Sequence, residues 1–198
     1  MRFGPVAVAY DDDVLVPRPW TIEQSRWAAA LLDDLPAGPV LELCAGAGQI
    51  GLVAAVESGR DLVQVDVDER ACAYARRNAD RAGVTSDVRC GDLEQALTDG
   101  ERFPLVLADP PYVPSDEVDQ HPDDPRGAID GGPDGLDIAR ACLGIAAVHV
   151  LDDGAVLVQL GSPEQADRLR PDAAAHALEI VEVRTVAGKG ALALLRPR

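Results

Sequence analysis

The sequence predicts an α/β fold built on a mostly parallel sheet, and three observations support that prediction. From about residue 39 onward, short apolar runs rich in β-branched residues alternate with stretches of helical periodicity. Glycine and proline separate one predicted element from the next, and acidic residues stand where several apolar runs end. The 198 residues, 47% of them hydrophobic, supply enough apolar side chains for one core. We therefore expect a single domain over 1–198, with an N-terminal extension and leading helix in 1–38 and the core in 39–198.

The predicted elements follow the chain in a regular order. They are a strand over 39–44, a helix over 49–59, a strand over 61–67, a helix over 69–83, strands over 86–92 and 104–109, a long loop over 113–135, a helix over 134–150, a strand over 154–161, and a helix over 163–176 interrupted at Pro171. Gly83 stands in the position that ends a helix. Two final strands, over 178–187 and 190–196, are expected to pair in antiparallel fashion through the turn AGKG.

Composition and charge narrow the classes of partner. The formal net charge is −16, so the summed field repels phosphate and makes nucleic acid a less favoured partner. No apolar run approaches the ~20 residues that a membrane span needs, and the N-terminus does not read as a secretory signal. We expect a cytoplasmic protein that does not contact a membrane. The cysteines lack CxxC or Cys/His ligand spacing, so we expect reduced thiols and no metal site.

A glycine-containing turn lies between the first predicted strand and its helix. Gly46 and Gly48 would let the backbone approach a ligand closely and aim helix N-terminal amides at it. Asp66 ends the second strand 20 residues further on, and Asp92 ends the third. Carboxylates at the ends of successive parallel strands converge on the crevice where ligands of such sheets bind. The pattern indicates a cofactor that carries a nucleoside.

The residues of the turn narrow the choice among cofactors that contain a nucleoside. The turn lacks GKS or GKT, which disfavours a triphosphate held by a P-loop. Residues 46–51 formally satisfy GxGxxG, so a dinucleotide remains the main rival. Glu42, in the strand just before the turn, would repel pyrophosphate but could engage a cationic amino-acid group. That favours S-adenosylmethionine, which carries an ammonium and a sulfonium group and no phosphate.

Several motifs resemble a known family. The stretch ELCAGAG (42–48) resembles the first motif of class I S-adenosylmethionine-dependent methyltransferases. The segments VLVPRPWT (14–21), DPPYVPSDEV (109–118) and DPRGAIDGGPDGLD (124–137) resemble motifs of the HemK/PrmC-like glutamine methyltransferases. The resemblance runs from Val14 to the closing strand pair. It implies a Rossmann-like, seven-stranded class I methyltransferase sheet that is mostly parallel with an antiparallel C-terminal strand pair.

The resemblance also implies a cofactor, a substrate and a set of site residues. S-adenosyl-L-methionine would be the cofactor and a release-factor-like protein the substrate. Glu42, Gly46 and Gly48 would bound the methionine end of the cofactor, Asp66 the ribose and Asp92 the adenine edge. The full set of cofactor-binding positions implied is Glu42, Cys44, Ala45, Gly46, Gly48, Asp66, Val67, Asp92 and Leu93, and the substrate clamp is Asp109, Pro110, Pro111 and Tyr112.

The clamp has a chemical rationale. The nitrogen of an amide or a nucleobase amine is a poor nucleophile because its lone pair is delocalised. An acceptor side chain and an adjacent main-chain carbonyl would hold such an NH₂ group with its lone pair toward the methyl group, which is catalysis mostly by positioning. Asp109 would also stabilise the positive charge that develops on nitrogen. The ring of Tyr112 would stack on the planar acceptor.

Three features depart from the family pattern. Cys44 stands where the family usually has glycine, and Asp109 replaces the usual asparagine. Aspartate offers the same acceptor oxygen but adds charge and loses a donor. Because the PRP segment begins only at Pro17, we expect the family's N-terminal helical domain to be absent.

Several functions stay open at this point. The leading hypothesis is methylation of a protein glutamine, in a release factor or a ribosomal protein. A nucleobase amine in RNA or DNA is an alternative, because DPPY is also typical of adenine and guanine N-methyltransferases, and a small-molecule acceptor is another. A cofactor-binding module without activity and a nicotinamide enzyme are more distant alternatives.

Overall fold

The N-terminal region folds against the core instead of extending from it. The computed structural model describes residues 1–186 and 188–198. A two-stranded hairpin, which the sequence did not predict, comprises β1 (Arg2–Phe3) and β2 (Val6–Ala7). A short 3-10 turn over Pro19–Thr21 leads into the leading helix α1 (Ile22–Leu32), whose sheet-facing residues include Trp27 and Ala28.

Seven strands form the main sheet. They are β3 (Val40–Leu43), β4 (Leu62–Asp66), β5 (Ser86–Cys90), β6 (Phe103–Ala108), β7 (Val150–Leu160), β8 (Leu178–Val186) and β9 (Gly190–Pro197). Their order is β5-β4-β3-β6-β7-β9-β8. Pairs from β5 to β7 are parallel, while β9 runs antiparallel to both β7 and β8. The predicted sheet and its antiparallel closing pair are confirmed. Ala187, in the predicted turn AGKG, lies outside the described residues.

The helices cover both faces of the sheet. They are α2 (Gln49–Ser58), α3 (Glu69–Ala82), α4 (Arg126–Ile129), α5 (Asp137–His149) and α6 (Pro163–Ala175). Side chains of β6 alternate between two cores, because successive strand residues point to opposite faces. Leu105 and Leu107 pack on the side of α1 and α2, and Val106 packs on the side of α5 and α6. No helix within 1–186 and 188–198 is both long and apolar enough to span a membrane.

The strand order creates a switch point in the middle of the sheet. The chain runs outward from β3 to β4 and β5, then returns to the other side of β3 to form β6 and β7. Leu43 and Ala108, the last residues of β3 and β6, stand opposite each other in register. Ligands of open α/β sheets bind outside the carboxyl ends of the strands at such a switch point. The residues that follow Leu43 and Ala108 are therefore placed at the same crevice.

Three predicted elements differ from the structure. Helix α6 continues through Pro171 without interruption, so that prediction was wrong. A proline removes only one helical N–H, and here Leu169 and Ala173 remain packed in the core on either side of it. Strand β7 begins at Val150, four residues earlier than predicted, and a register shift opposite β6 accommodates the extra length. The predicted long loop contains a 3-10 turn over Val118–Gln120 and the short helix α4.

Candidate active site

A cavity of about 590 Å³ opens at the carboxyl ends of β3, β4, β5 and β6. The predicted site residues that line it are Cys44, Ala45, Gly46, Asp66, Val67, Asp92, Leu93, Asp109 and Pro111. Glu42, Gly48, Pro110 and Tyr112 are not among its lining residues. The structure thus brings the two predicted groups, for the cofactor and for the substrate, to one cavity.

The two glycines of the turn have different roles. Gly46 has φ +54°, and a Cβ built on it would meet no atom within 4 Å, so this position borders open space. Its amide donates to Asp66 Oδ2 at 2.7 Å, which ties the turn to the end of β4. Gly48 has φ +82°, and a Cβ there would lie 2.6 Å from Gln64 Nε2. Gly46 therefore leaves room for a ligand, whereas Gly48 is required by packing within the protein.

Glu42 supports the turn from beneath. Its side chain is buried, with Oε1 accepting from the Gly51 amide at 2.9 Å and Oε2 accepting from Gln64 Nε2 at 2.6 Å. Burial raises the pKa of Glu42 to about 7, although both hydrogen bonds lower it. Its carboxylate is thus used to hold α2 and β4 together and does not reach the cavity surface.

Asp109 emerges directly after β6 on the floor of the cavity. It is partly exposed there, and no described residue forms a hydrogen bond or an ion pair with its carboxylate. Burial among protein atoms raises the pKa of Asp109 to about 7, and the field of Arg18 opposes that shift. Arg18 itself is paired with Asp124. Asp109 is therefore an acidic group with free acceptor oxygens that face the cavity.

The remainder of the clamp is fixed by its surroundings. The carbonyl of Tyr112 accepts from Gln165 Nε2 at 2.9 Å, and a Cβ on Gly161 would lie 2.9 Å from Tyr112 Cδ2. The Tyr112 ring is therefore wedged against the turn that follows β7. Burial and the nearby Asp109 raise the pKa of Tyr112 to about 12, so the phenol stays neutral at ordinary pH.

Cys44 occupies the position where the resembling family usually has glycine. It is one of two non-glycine residues with positive φ among those described, at 55°, so it keeps the left-handed backbone that favours glycine. Its Sγ lies 3.8 Å from Cys142 Sγ on α5. This contact, together with burial, raises the pKa of the Cys44 thiol well above its ordinary value. The turn therefore tolerates cysteine with its backbone geometry intact.

The glycine-rich stretch DGGPDG (130–135) packs against the back of the clamp. A Cβ on Gly131 would lie 2.6 Å from the Pro111 carbonyl oxygen, and one on Gly135 would lie 2.4 Å from the Tyr112 carbonyl oxygen. Asp130 accepts from Ser115 Oγ at 2.6 Å, which closes the loop that follows the clamp. Close backbone approach accounts for the glycines in this motif.

Some lining residues were not predicted as site residues. They are Asp13, Val14, Leu15, Val16, Arg18, Ala47, Gln49, Ile50, Asp68, Ala71, Glu94, Pro125, Gly127, Ala128, Asp130, Ile138 and Ala141. Several belong to the motifs at 14–21 and 124–137, and those motifs could have identified them as site residues from the sequence. Others, such as Ile138 on α5, reach the cavity only because of how the helices pack.

The fold and the site together define a class. A seven-stranded sheet in this order, with one antiparallel strand inserted next to the edge and a glycine turn bound by an acidic residue, is that of a class I methyltransferase domain. Residues 25–121 match the family model described as "Methyltransferase small domain". Enzymes of this class use S-adenosylmethionine.

Solved structures agree with this fold. A methyltransferase from Pyrococcus furiosus superposes with a TM-score of 0.71 at 19% identity, over 97% of this chain and 88% of that one. The 16S rRNA N2 G1207 methyltransferase of T. thermophilus, in complex with AdoMet and guanosine, superposes with a TM-score of 0.69 at 20% identity, over 92% of this chain and 44% of that one. At these identities the likeness establishes the fold alone.

Within the class, the chain is similar to glutamine methyltransferases. It is 33% identical to the ribosomal protein uL3 glutamine methyltransferase of Burkholderia pseudomallei, over 93% of this chain and 64% of the relative. It is 36% identical to the release factor glutamine methyltransferase of Mycobacterium tuberculosis, over 80% of this chain and 55% of the relative. The chain thus spans roughly three fifths of the length of these relatives.

Proposed function

We propose that this protein is an S-adenosylmethionine-dependent N-methyltransferase that modifies a protein glutamine, in a release factor or a ribosomal protein. One observation carries the proposal. Leu43 and Ala108 stand side by side at the ends of β3 and β6, so the glycine turn and the Asp109 clamp open onto one cavity. A donor bound at the turn and an acceptor bound at the clamp would meet there.

The residues at the turn fit the proposed cofactor. Gly46 borders open space, and Asp66 retains lone pairs that can accept from ribose hydroxyls. Val67 is 75% exposed at the cavity wall and offers an apolar surface for a base, with Asp92 exposed nearby. S-adenosylmethionine, when bound, supplies an electrophilic methyl group. Its cationic groups suit the cavity, because acidic residues outnumber basic ones in the lining. The one basic lining residue is Arg18, and the acidic ones are Asp13, Asp66, Asp68, Asp92, Glu94, Asp109 and Asp130.

The clamp would orient the acceptor amide. In its ionised form, Asp109 accepts a hydrogen bond from the acceptor NH₂ and stabilises the positive charge that develops on nitrogen. Pro110 and Pro111 remove two backbone donors and fix two φ angles, so the acceptor oxygens stay in place. The backbone of 131–135 braces Pro111 and Tyr112 from behind. Most of the rate gain would come from holding nitrogen about 3–3.5 Å from the methyl carbon.

The surroundings of the clamp favour a polypeptide over a nucleic acid. The exposed loop that follows the clamp carries Asp116, Glu117, Asp119 and Asp123. With a net charge of −16, the protein would repel the phosphates of RNA or DNA at this entrance. The relatives named above are methyltransferases of a release factor and of ribosomal protein uL3, which supports a protein acceptor here as well.

A methyl-transfer assay tests the acceptor. The protein is incubated with labelled S-adenosylmethionine and, separately, a release factor, ribosomal protein uL3 and an rRNA transcript, and mass spectrometry locates the label. We expect label on one glutamine of a protein acceptor. In Asp109→Ala, the rate should fall about 100-fold or more with cofactor affinity unchanged. Label on RNA alone, or on no acceptor, would refute the proposal.

Calorimetry tests the cofactor site separately. Asp66→Asn removes the charge that accepts from the Gly46 amide, so the affinity for S-adenosylmethionine should fall about 10-fold to 100-fold. Asp61→Asn is the matched control, because Asp61 is exposed and precedes the opposite end of the same strand. Equal affinities in the two variants would contradict the assignment of Asp66.

A further inference from the structure

Gln24 on α1 has a buried side chain that bonds directly to the sheet beneath the clamp. It is 0% exposed, and its Nε2 donates to the Ala108 carbonyl at 3.0 Å and to the Leu157 carbonyl at 3.1 Å. Ala108 is the last residue of β6 and precedes Asp109, while Leu157 belongs to the neighbouring strand β7. One amide group thus joins α1 to the last residue of β6 and to Leu157 within the neighbouring strand β7.

Packing alone does not account for an amide at this position. The other buried residues of α1 are the apolar Trp27, Ala28 and Leu32 and the small Ser25. Within the described residues, Gln24 Oε1 has no hydrogen-bond partner. Leaving such an acceptor buried is destabilising, so an apolar side chain of similar volume would serve the core at least as well. The two hydrogen bonds donated by Nε2 are what glutamine offers here and an apolar side chain does not.

The segment that leads into α1, the helix of Gln24, forms one wall of the cavity. The segment 13–18 lines the cavity and leads through Pro19–Thr21 into α1. Arg18, at the end of that segment, pairs with Asp124 in the loop beyond the clamp. Further along α1, the Trp27 ring lies under the Arg184 guanidinium at 3.7 Å. The bonds from Gln24 therefore fix α1, with its attached wall, relative to the strand end from which Asp109 emerges.

We propose that Gln24 is a positioning residue for methyl transfer, whose amide fixes the last peptide of β6 and thereby the placement of Asp109 relative to segment 13–18. This inference rests on the function proposed above. Gln24 acts through Asp109 and does not touch the reacting atoms. A displacement of about 1 Å at a reacting centre can lower a rate about 100-fold, so loss of these bonds is expected to affect turnover.

Gln24→Met tests the inference, because methionine keeps the volume and removes both N–H donors. We expect kcat to fall about tenfold while the affinity for S-adenosylmethionine, measured by calorimetry, changes less than about twofold. Ser25→Ala is the matched control. Ser25 is the next residue on α1, is equally buried, and its Oγ has no hydrogen-bond partner within the described residues. This control should keep the wild-type kcat.

A second readout does not depend on activity. In side-chain ¹³C NMR, the titration midpoint of the Asp109 carboxyl should move in Gln24→Met and stay in place in Ser25→Ala, because only the first variant releases the strand end. If the wild type methylates no acceptor, the proposed function fails. The titration then decides by itself whether Gln24 positions Asp109. If Gln24→Met does not fold, Gln24→Asn replaces it, since a side chain one methylene shorter cannot reach both carbonyls. Unchanged kcat and an unchanged Asp109 titration in a folded variant would overturn the inference.

Discussion

Arg18 forms an ion pair with Asp124, and no cationic side chain within the described residues pairs with Asp109. The pair joins two segments 106 residues apart, one before α1 and one in the loop that follows the clamp. Burial consequently dominates at Asp109 and raises its pKa to about 7, with Arg18 opposing the shift only through its field. The Arg18–Asp124 ion pair thus helps to set the protonation state of Asp109, although Asp109 is not part of that pair.

Breaking this ion pair should change the pH dependence of the reaction. In Asp124→Asn, Arg18 loses its partner and becomes free to approach Asp109, which lowers the pKa of Asp109. Because the ionised form of Asp109 is the proposed active form, kcat/KM should rise with pH at a lower midpoint than in the wild type. Rates measured from pH 5.5 to 9 check this. Asp119→Asn, in the same loop and 93% exposed, is the control, and identical midpoints in all three proteins would contradict the prediction.

Replacing Asp109 by asparagine should remove the pH dependence and keep activity. Asparagine presents the same acceptor oxygen and does not titrate. For the wild type, the rate should rise through a pH near 7, where Asp109 ionises. We expect Asp109→Asn to stay within about tenfold of the wild type at pH 8 and to exceed it at pH 5.5, where the wild-type carboxyl is protonated. A variant that retains the wild-type midpoint would show that another group titrates.

Glu42 should make the protein less stable as the pH rises. Burial raises its pKa in the folded state from 4.5 to about 7. Its stabilising contribution is fully present below pH 4.5 and is lost as the pH rises through about 7. Between pH 5 and 8, the free energy of unfolding should therefore fall by on the order of 1–3 kcal/mol more in the wild type than in Glu42→Gln.

Denaturant titrations at several pH values measure this difference. Glu57→Gln is the control, since Glu57 is exposed on the same side of the sheet in α2. The control should follow the wild-type curve. If Glu42→Gln follows it too, the raised pKa of Glu42 does not contribute to stability.

Two helical glycines should respond to alanine with opposite signs. Alanine normally stabilises a helix interior by about 1 kcal/mol relative to glycine. At Gly51 the added Cβ would lie 2.4 Å from Glu42 Oε2, so Gly51→Ala should destabilise the protein by about 1–3 kcal/mol. At Gly144 on α5 the nearest atom, His176 Cε1, would be 3.6 Å away, so Gly144→Ala should be neutral or stabilising. Thermal unfolding distinguishes them, and a stabilised Gly51→Ala would contradict the close contact.

The sequence by itself determined the elements of the fold and the position of the glycine turn. Alternating apolar runs and helical periodicity are local signals, and they located every strand of the main sheet to within a few residues. The spacing between Gly46 and Asp66 is also local to one βαβ unit, and the structure joins the two by a hydrogen bond. The motifs at 109–118 and 124–137 were recognised by their resemblance to a family, and only the structure places 131–135 behind Pro111 and Tyr112.

Only the tertiary structure decided which parts meet and what charge they carry. The pairing of β3 with β6, the ion pair of Arg18 with Asp124 and the bonds from Gln24 to two strands link residues far apart in the chain. No local pattern encodes these contacts, because they depend on how whole elements pack. Pro171 remained helical because its neighbours are buried, and the pKa of Asp109 is raised because protein atoms from several elements surround its carboxyl.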